Sequence, residues 1–516
     1  MKRRVVACSV LALGALPLMA DPAINLVPIG KYVTGVAGLG ATEIAAFDPV
    51  TERIFSINGA ANTLDVIDIT VPSAPVLASA IAMASCGAPG LPTSVAIRSG
   101  IVAVAVENAV DASPGWVAFF DTDGECLNAV TVGAGPDMVA FTHNGRHLLV
   151  ANEGEEGVGG DPAGSVAIIR LKGGVKHLTQ ADASIVLFDT FDKAQLLLDG
   201  RIHRINPSPA VPLSIDLEPE YIAISHDSQT AWVTLQENNA LAVLDIEAAQ
   251  FTDLLPLGFK NHNLPGNEMD ASDQDGGIRI LNWPARGMYQ PDAIDTLQYR
   301  GETFLFTANE GDSRPSEETR VGSVMLDPVA FPNGATLRLN ANLGRLRITN
   351  LRGDTDADGD FDQLYAFGGR SFSIWTTLGE LVFDSGRMFE QITAAAVPAI
   401  FNSNGDSPAT FDTRSDDKGP EPEGMTLGKV MGRTYAFVGL ERTGGIMVFD
   451  VTNPFAPSFV RYVNNHPIGG PIALGDVSPE GVLFVKPDDS PTSKALLIVS
   501  HEISGTIAIY EITSSH

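Results

Sequence analysis

Basic residues are scarce in this chain: 33 Lys and Arg face 62 Asp and Glu, a formal net charge of −29 at pH 7, and no basic segment interrupts the excess. Such a chain repels nucleic acid and anionic membrane surfaces, which leaves divalent cations, or ligands approached through bound cations, as complementary partners. Long apolar runs are lacking beyond the first twenty residues, so no membrane-spanning helix of about 18 apolar residues is encoded there. Cysteines number three and histidines nine, with no Cys-x-x-Cys-His motif, which counts against a redox protein carrying haem or quinone.

What is present begins with a leader. Lys2, Arg3 and Arg4 precede an apolar run from Val5 to Met19 that ends in Leu18-Met19-Ala20 before Asp21. This pattern predicts a secretory signal over 1–20 and an exported mature chain over 21–516, periplasmic or extracellular. Cys8 leaves with the signal. Cys86 and Cys126 remain, forty residues apart, and can form a disulfide or stand as two buried thiols; an oxidising compartment favours the bond.

A unit of about forty residues recurs along the chain. Its clearest copies start at Pro136-Asp137 (MVAFTH, HLLVANEG, GSVAIIRL) and Pro219-Glu220 (YIAISH, AWVTLQEN, ALAVLDI). Others start at Pro422-Glu423 and Pro479-Glu480, with looser copies at Thr42-Glu43 and Pro92-Thr93. A seventh, from Pro291-Asp292, is split by about sixty residues. Short β-rich runs between Gly, Asn and Asp turns at this spacing predict an all-β, seven-bladed β-propeller in a single domain. The strand around Leu26 to Val36 is expected to close the last blade beside Thr506 to Ile512, and long insertions are expected near 258–289 and 311–365.

The polar residues of the repeat fall into two sets. Glu43, Asp137, Glu220, Asp292, Glu423 and Glu480 lead into first strands, and Glu107, Glu153, Glu237, Glu310, Glu441 and Glu502 follow second strands. First strands line a propeller's channel, so both sets are expected at one mouth. Crowded carboxylates repel unless they bind cations, pair with basic side chains or accept backbone hydrogen bonds, and all-oxygen sites favour Ca²⁺, Mg²⁺ or another hard divalent ion. Turn caps that bind nothing are the alternative.

Inside the split unit, Asp354, Asp356, Asp358, Asp360 and Asp362 alternate about Gly359, like the first nine positions of an EF-hand loop, although Tyr365 stands where that loop has Glu. Calcium here would order the insertion. An acidic segment, Asn261 to Gly277, precedes the split unit. Arg314, Arg414 and Lys418 stand among acids near the same mouth, either as anchors for a phosphate or as internal ion pairs.

Taken together, GPDMVAFTHNGRHLLVANEGE, LEPEYIAISHDSQTAWVTLQENNALAVLDI, NEMDASDQDGGI, FLFTANEGDSR, RSDDKGPEPEGM and GDVSPEGVLFV make the chain resemble the secreted choice-of-anchor I propeller proteins, relatives of echinoderm mesenchyme-specific cell-surface glycoproteins. The resemblance implies a propeller outside the cytoplasm. Members often carry an anchor after the propeller, whereas this chain ends at His516, so a released or periplasmic protein is expected.

Bacterial members are often labelled alkaline phosphatase. The familiar enzymes of that name place the serine nucleophile in Asp-Ser-Ala; here only Asp-Ala-Ser occurs, at 111–113, 182–184 and 270–272, so catalysis through such a serine is not supported. Two functions remain: a metal-dependent phosphoesterase acting on a phosphorylated small molecule, and a non-catalytic calcium-binding propeller that engages a surface glycan or mineral.

Overall fold

The runs of β-branched and aromatic residues form strands because each buries one or both faces between neighbouring sheets. The computed structural model describes residues 24–515 except 158, 406 and 407; the leader expected over 1–20 lies outside them. Seven antiparallel four-stranded sheets are arranged as the blades of a propeller. Their inner strands are Ala45–Asp48, Gly90–Arg98, Pro136–Phe141, Pro219–Ile224, Ile294–Tyr299, Pro422–Val430 and Pro479–Val485. Each packs beside the next, and the seventh packs beside the first, so the ring is closed.

Closure uses the strand expected for it. Ile24–Val33 pairs antiparallel with Thr506–Ser514, placing Leu26 opposite Ile512 and Tyr32 opposite Ile507. The strand Thr506–Ser514 is thereby covered by the start of the described chain, which completes the four-stranded blade. The core lies between blades. Phe55 and Val66 of the first meet Val104 and Phe120 of the second, and Phe306 and Phe372 of the fifth meet Val438 and Phe449 of the sixth.

The two insertions come together. Phe259–Asn261 and Arg286–Met288 from one, with Glu318–Arg320, Arg347–Thr349 and Tyr365–Ala366 from the other, make a single five-stranded sheet. A parallel pairing of Arg286 with Tyr365 and Gly287 with Ala366 joins them. They share a core of their own that includes Trp283, Phe331, Leu343, Ile348 and Leu364. A helix, Met388–Ala396, follows the outer strand of the fifth blade. Cys86, on a short turn of helix before blade two, is bonded to Cys126 at the start of that blade's outer strand. No described helix is long and apolar enough to cross a membrane.

Leu26 is 5% exposed and packs with Tyr510 and Ile512 across the closing pair. Leu26→Ala is therefore expected to destabilise the protein by about 2–4 kcal/mol, the cost of a truncated core leucine. Guanidinium denaturation measures it; a value indistinguishable from the parent would mean that the closing strand is not part of the folding unit.

Candidate functional site

A local irregularity aims the acids of the inner strands. In blade three Pro136 pairs with Asn152 and Met138 with Ala151, so Asp137 stands outside the ladder as a β-bulge. The register jumps in the same place at Glu220, between Pro219 and Ile222, at Glu423, between Pro422 and Met425, and at Glu480, between Pro479 and Val482. A bulge re-aims its side chain, and here the Pro-acid step turns a strand residue into a channel residue. Blade two has the same bulge with Thr93 in the acid's position.

The glycines after two of these acids let the blades meet. A Cβ at Gly424 would overlap the carbonyl oxygen of Glu480, and one at Gly481 would lie 2.8 Å from the carbonyl oxygen of Glu43. Neighbouring inner strands thus touch backbone to backbone beside their acids.

All six acids of the first set and two of the second line this mouth. Glu43, Asp137, Glu153, Glu220, Asp292, Glu310, Glu423 and Glu480 line one cavity of about 270 Å³, with Asp312, Gln236, Tyr221, Thr93 and Ser94. Glu237 and Glu441, each 5% exposed, are not among the lining residues. Glu107 and Glu502 do not line it either; Glu502 acts on Glu43 and Glu480, and Glu107 on Asp137, through charge.

The two sets form triads across blades. Carboxylate oxygens of Glu153, Glu220 and Glu237 lie within 4.8 Å of one another, and so do those of Glu310, Glu423 and Glu441. Asp292 feels the charge of Glu237 from one triad and of Glu310 and Glu441 from the other. Burial, then like charge, holds Glu153, Glu220, Asp292, Glu423 and Glu480 well above the usual carboxylate range. Burial first raises Asp137 to about 6, Glu43 and Glu237 to about 7 and Glu441 to about 8.

The three basic residues singled out in the sequence all stand in ion pairs. Arg314 meets Glu218, Glu156 and Asp161; Arg414 meets Glu421 at 2.6 Å and Asp417 at 3.0 Å. Lys418 Nζ lies 3.1 Å from Asp312, 3.4 Å from Glu310 and 3.5 Å from Glu421. Of the three, Lys418 reaches a triad directly. Burial works against its charge, but Glu310, Glu421 and Asp312 outweigh burial and hold the ammonium well above its ordinary pKa.

Several partners were not legible beforehand. Glu421 is fully buried and gathers Arg414, Lys418 and Arg442; nothing in its sequence position separates it from neighbouring acids. Gln236 donates to Glu310 across the blade boundary at 2.9 Å. In the insertion, Asp354 accepts hydrogen bonds from the amides of Ala357, Asp358 and Gly359, as a turn of this kind requires. Asp354, Asp356 and Asp362 converge within 4.8 Å, while Asp360 and Asp362 converge with Asp327, twenty-seven residues before the loop's start. Asp358 belongs to neither group and accepts from the amide of Asp360.

The raised pKa values set a pH dependence with a definite sign. A carboxylate whose folded pKa exceeds its unfolded value stabilises the fold below the unfolded value, and that contribution is lost as pH rises through the folded pKa. Metal-free protein therefore loses this contribution between about pH 4.5 and about pH 8. A cation that binds the ionised acids reverses the loss. The rise in Tm produced by Ca²⁺ over a chelator is thus expected to grow from about pH 5 to about pH 8. Buried His203 and His262, both pushed down to about 3 chiefly by burial, titrate alike in both samples and cancel. A calcium effect that shrinks with pH would contradict the site.

Residues 43–454 match the model of the choice-of-anchor I domain. Among characterised proteins the chain is similar to the mesenchyme-specific cell surface glycoprotein of Strongylocentrotus purpuratus, with 31% identity over 285 residues, 48% of this chain and 36% of that protein. It is also similar to gigasin-3a of Magallana gigas, with 29% identity over 194 residues, 34% of this chain and 67% of that protein. The matched region spans only about a third of the sea-urchin protein. Among solved structures, the Kuenenia stuttgartiensis hydrazine synthase aligns at a TM-score of 0.46 and 11% identity, over 93% of this chain and 99% of that one. A streptogramin B lyase aligns at 0.46 and 11%, over 96% and 100%. With every channel-mouth acid but Glu480, the split fifth blade and most of the ring inside the matched segment, the chain belongs to the choice-of-anchor I family.

Proposed function

We propose that this is a surface-associated or released propeller whose channel mouth binds divalent cations, calcium first, and uses them to hold and hydrolyse a phosphoester. The observation that carries the reading is convergence: nine carboxylates from six blades line one small cavity, where like charge and burial resist ionisation without a counter-ion. An all-oxygen set of this kind suits Ca²⁺ or Mg²⁺ better than zinc. The location follows from the family and from a relative named as a cell surface glycoprotein.

A bound cation would supply Lewis acidity toward a phosphoryl oxygen and lower the pKa of a water. The residues contribute the rest. The triads hold charge in place, Lys418 stands at the second triad as a fixed positive group, and Tyr221 and Gln236 complete the wall. Ser113, Ser184 and Ser272 are absent from the lining, which agrees with a reaction needing no serine nucleophile. Arg314 and Arg414 serve this reading as fixed charges behind the mouth. The enclosed, shared cavity favours catalysis over display; a non-catalytic calcium-binding role toward a surface glycan or mineral is the second reading, and the name of the sea-urchin relative favours it.

Elemental analysis of the purified mature protein, paired with p-nitrophenyl phosphate turnover before and after chelation and after restoring Ca²⁺, separates the readings. Bound metal and turnover that follows metal are expected. Glu153→Gln and Glu220→Gln should each lower kcat by about 100-fold or more while leaving the chelated protein's Tm within a few degrees. Metal without turnover would select the non-catalytic reading, and absence of metal would reduce both acid sets to structural turns.

A further inference from the structure

Resting on the cation-binding reading above, we propose that the two triads are unequal: Glu153, Glu220 and Glu237 form the strong divalent-cation position, while Lys418 and Arg442 stand in for a cation at Glu310, Glu423 and Glu441. Both triads are built on one pattern. Each combines the bulged acid of one blade's inner strand, the acid just past that blade's second strand, and the acid just past the preceding blade's second strand. Blade four with blade three makes the first, and blade six with blade five makes the second. Equivalent geometry with different surroundings isolates the effect of the surroundings.

Around the second triad the protein supplies its own positive charge. Lys418 Nζ lies 3.4 Å from Glu310, and Arg442 lies 2.9 Å from Glu441. Glu421, fully buried behind them, holds both basic groups and Arg414 in position. Gln236 also donates to Glu310, so one carboxylate there already has two partners.

Around the first triad the situation reverses. Among the described residues, the ion pairs of the mouth go elsewhere: Arg204 and Arg314 are committed to Glu218, and none reaches Glu153, Glu220 or Glu237. Glu237 is 5% exposed, its oxygen lies in the triad, and its Oε2 has no hydrogen-bond partner; Glu423 Oε2 in the second triad has none either, so the two triads differ in the basic groups beside them and not in this oxygen. A buried carboxylate oxygen left without a donor is costly, and a divalent cation satisfies it together with its two neighbours. Glu153 and Glu220 face the cavity and Glu237 does not, so a cation there is backed by protein on one side and open to a ligand on the other. Three hard carboxylate ligands with room for further oxygens fit Ca²⁺, with Mn²⁺ and Mg²⁺ as competitors.

The test is calcium titration calorimetry on the mature chain carrying Asp354→Asn and Asp362→Asn, which takes a carboxylate from each acidic group of the insertion and removes both from the count. One strong event is expected in this parent. Glu220→Gln should weaken it by about 100-fold or more, and Glu423→Gln by less than about threefold. Lys418→Met should add a second strong event by uncovering the second triad. Each Glu→Gln variant relieves repulsion, and its thermal unfolding in chelator checks that it is folded. Should Glu423→Gln abolish the strong event while Glu220→Gln spares it, or should both weaken it equally, the inequality is overturned while the cation reading survives. If the parent has no strong event and no metal by elemental analysis, both fall.

Discussion

Like charge gathered in a poorly hydrated space is the constraint around which this molecule is organised. Carboxylates crowded at a few ångströms and cut off from water cannot all ionise at neutral pH without counter-charge. The protein answers in three ways within one mouth. Some acids are held well above the usual carboxylate range by burial and like charge, as Glu480 is; some are paired, as Glu421 is with three basic groups; and one triad has no cation of its own. Glu421 makes the contrast sharp. It is as buried as its neighbours, yet Lys418, Arg414 and Arg442 outweigh burial and pull its pKa below the ordinary value.

The fold is what permits such crowding. A propeller places equivalent positions of every blade around one axis, so an acid written once into the repeat becomes a ring in space. The bulge at these Pro-acid steps lifts the acid out of the ladder, and Gly424 and Gly481 let adjoining inner strands touch backbone to backbone beside their acids. Sheet, bulge and glycine thus act on one feature at three scales. The interblade cores, rich in Phe, Val and Ile, hold the blades against the repulsion at their shared end.

The insertions have a different logic. Two segments separated by two blade strands fold into one sheet with one core, and their acidic loop draws in Asp327 from a distant part of the same insertion. That sheet also brings Arg345 and Arg347 to Asp416 and Asp417 at 3.0 and 3.9 Å, tying the insertion to the loop that carries Lys418. The side chains beside the second triad are therefore positioned in part by a unit outside the ring.

The sequence by itself determined the propeller, its seven units, the closing strand and the identity of nearly every acid at the mouth, because a forty-residue period and a Pro-acid step are local patterns that survive in one dimension. It also left Cys86 and Cys126 as the pair that is bonded in the structure. Tertiary structure alone decided which acids share a site. Glu153 belongs with Glu220 and Glu237 rather than with Asp137 beside it in its own blade, since the contact crosses a blade boundary. Ion pairing was equally hidden: Arg314, Arg414 and Lys418 look interchangeable among their acidic neighbours, yet only Lys418 meets a triad, and Glu421, which gathers Lys418 and Arg414, is one Glu in a run of acids. Charge acts through distance and burial, and both are settled by packing between segments far apart in the chain.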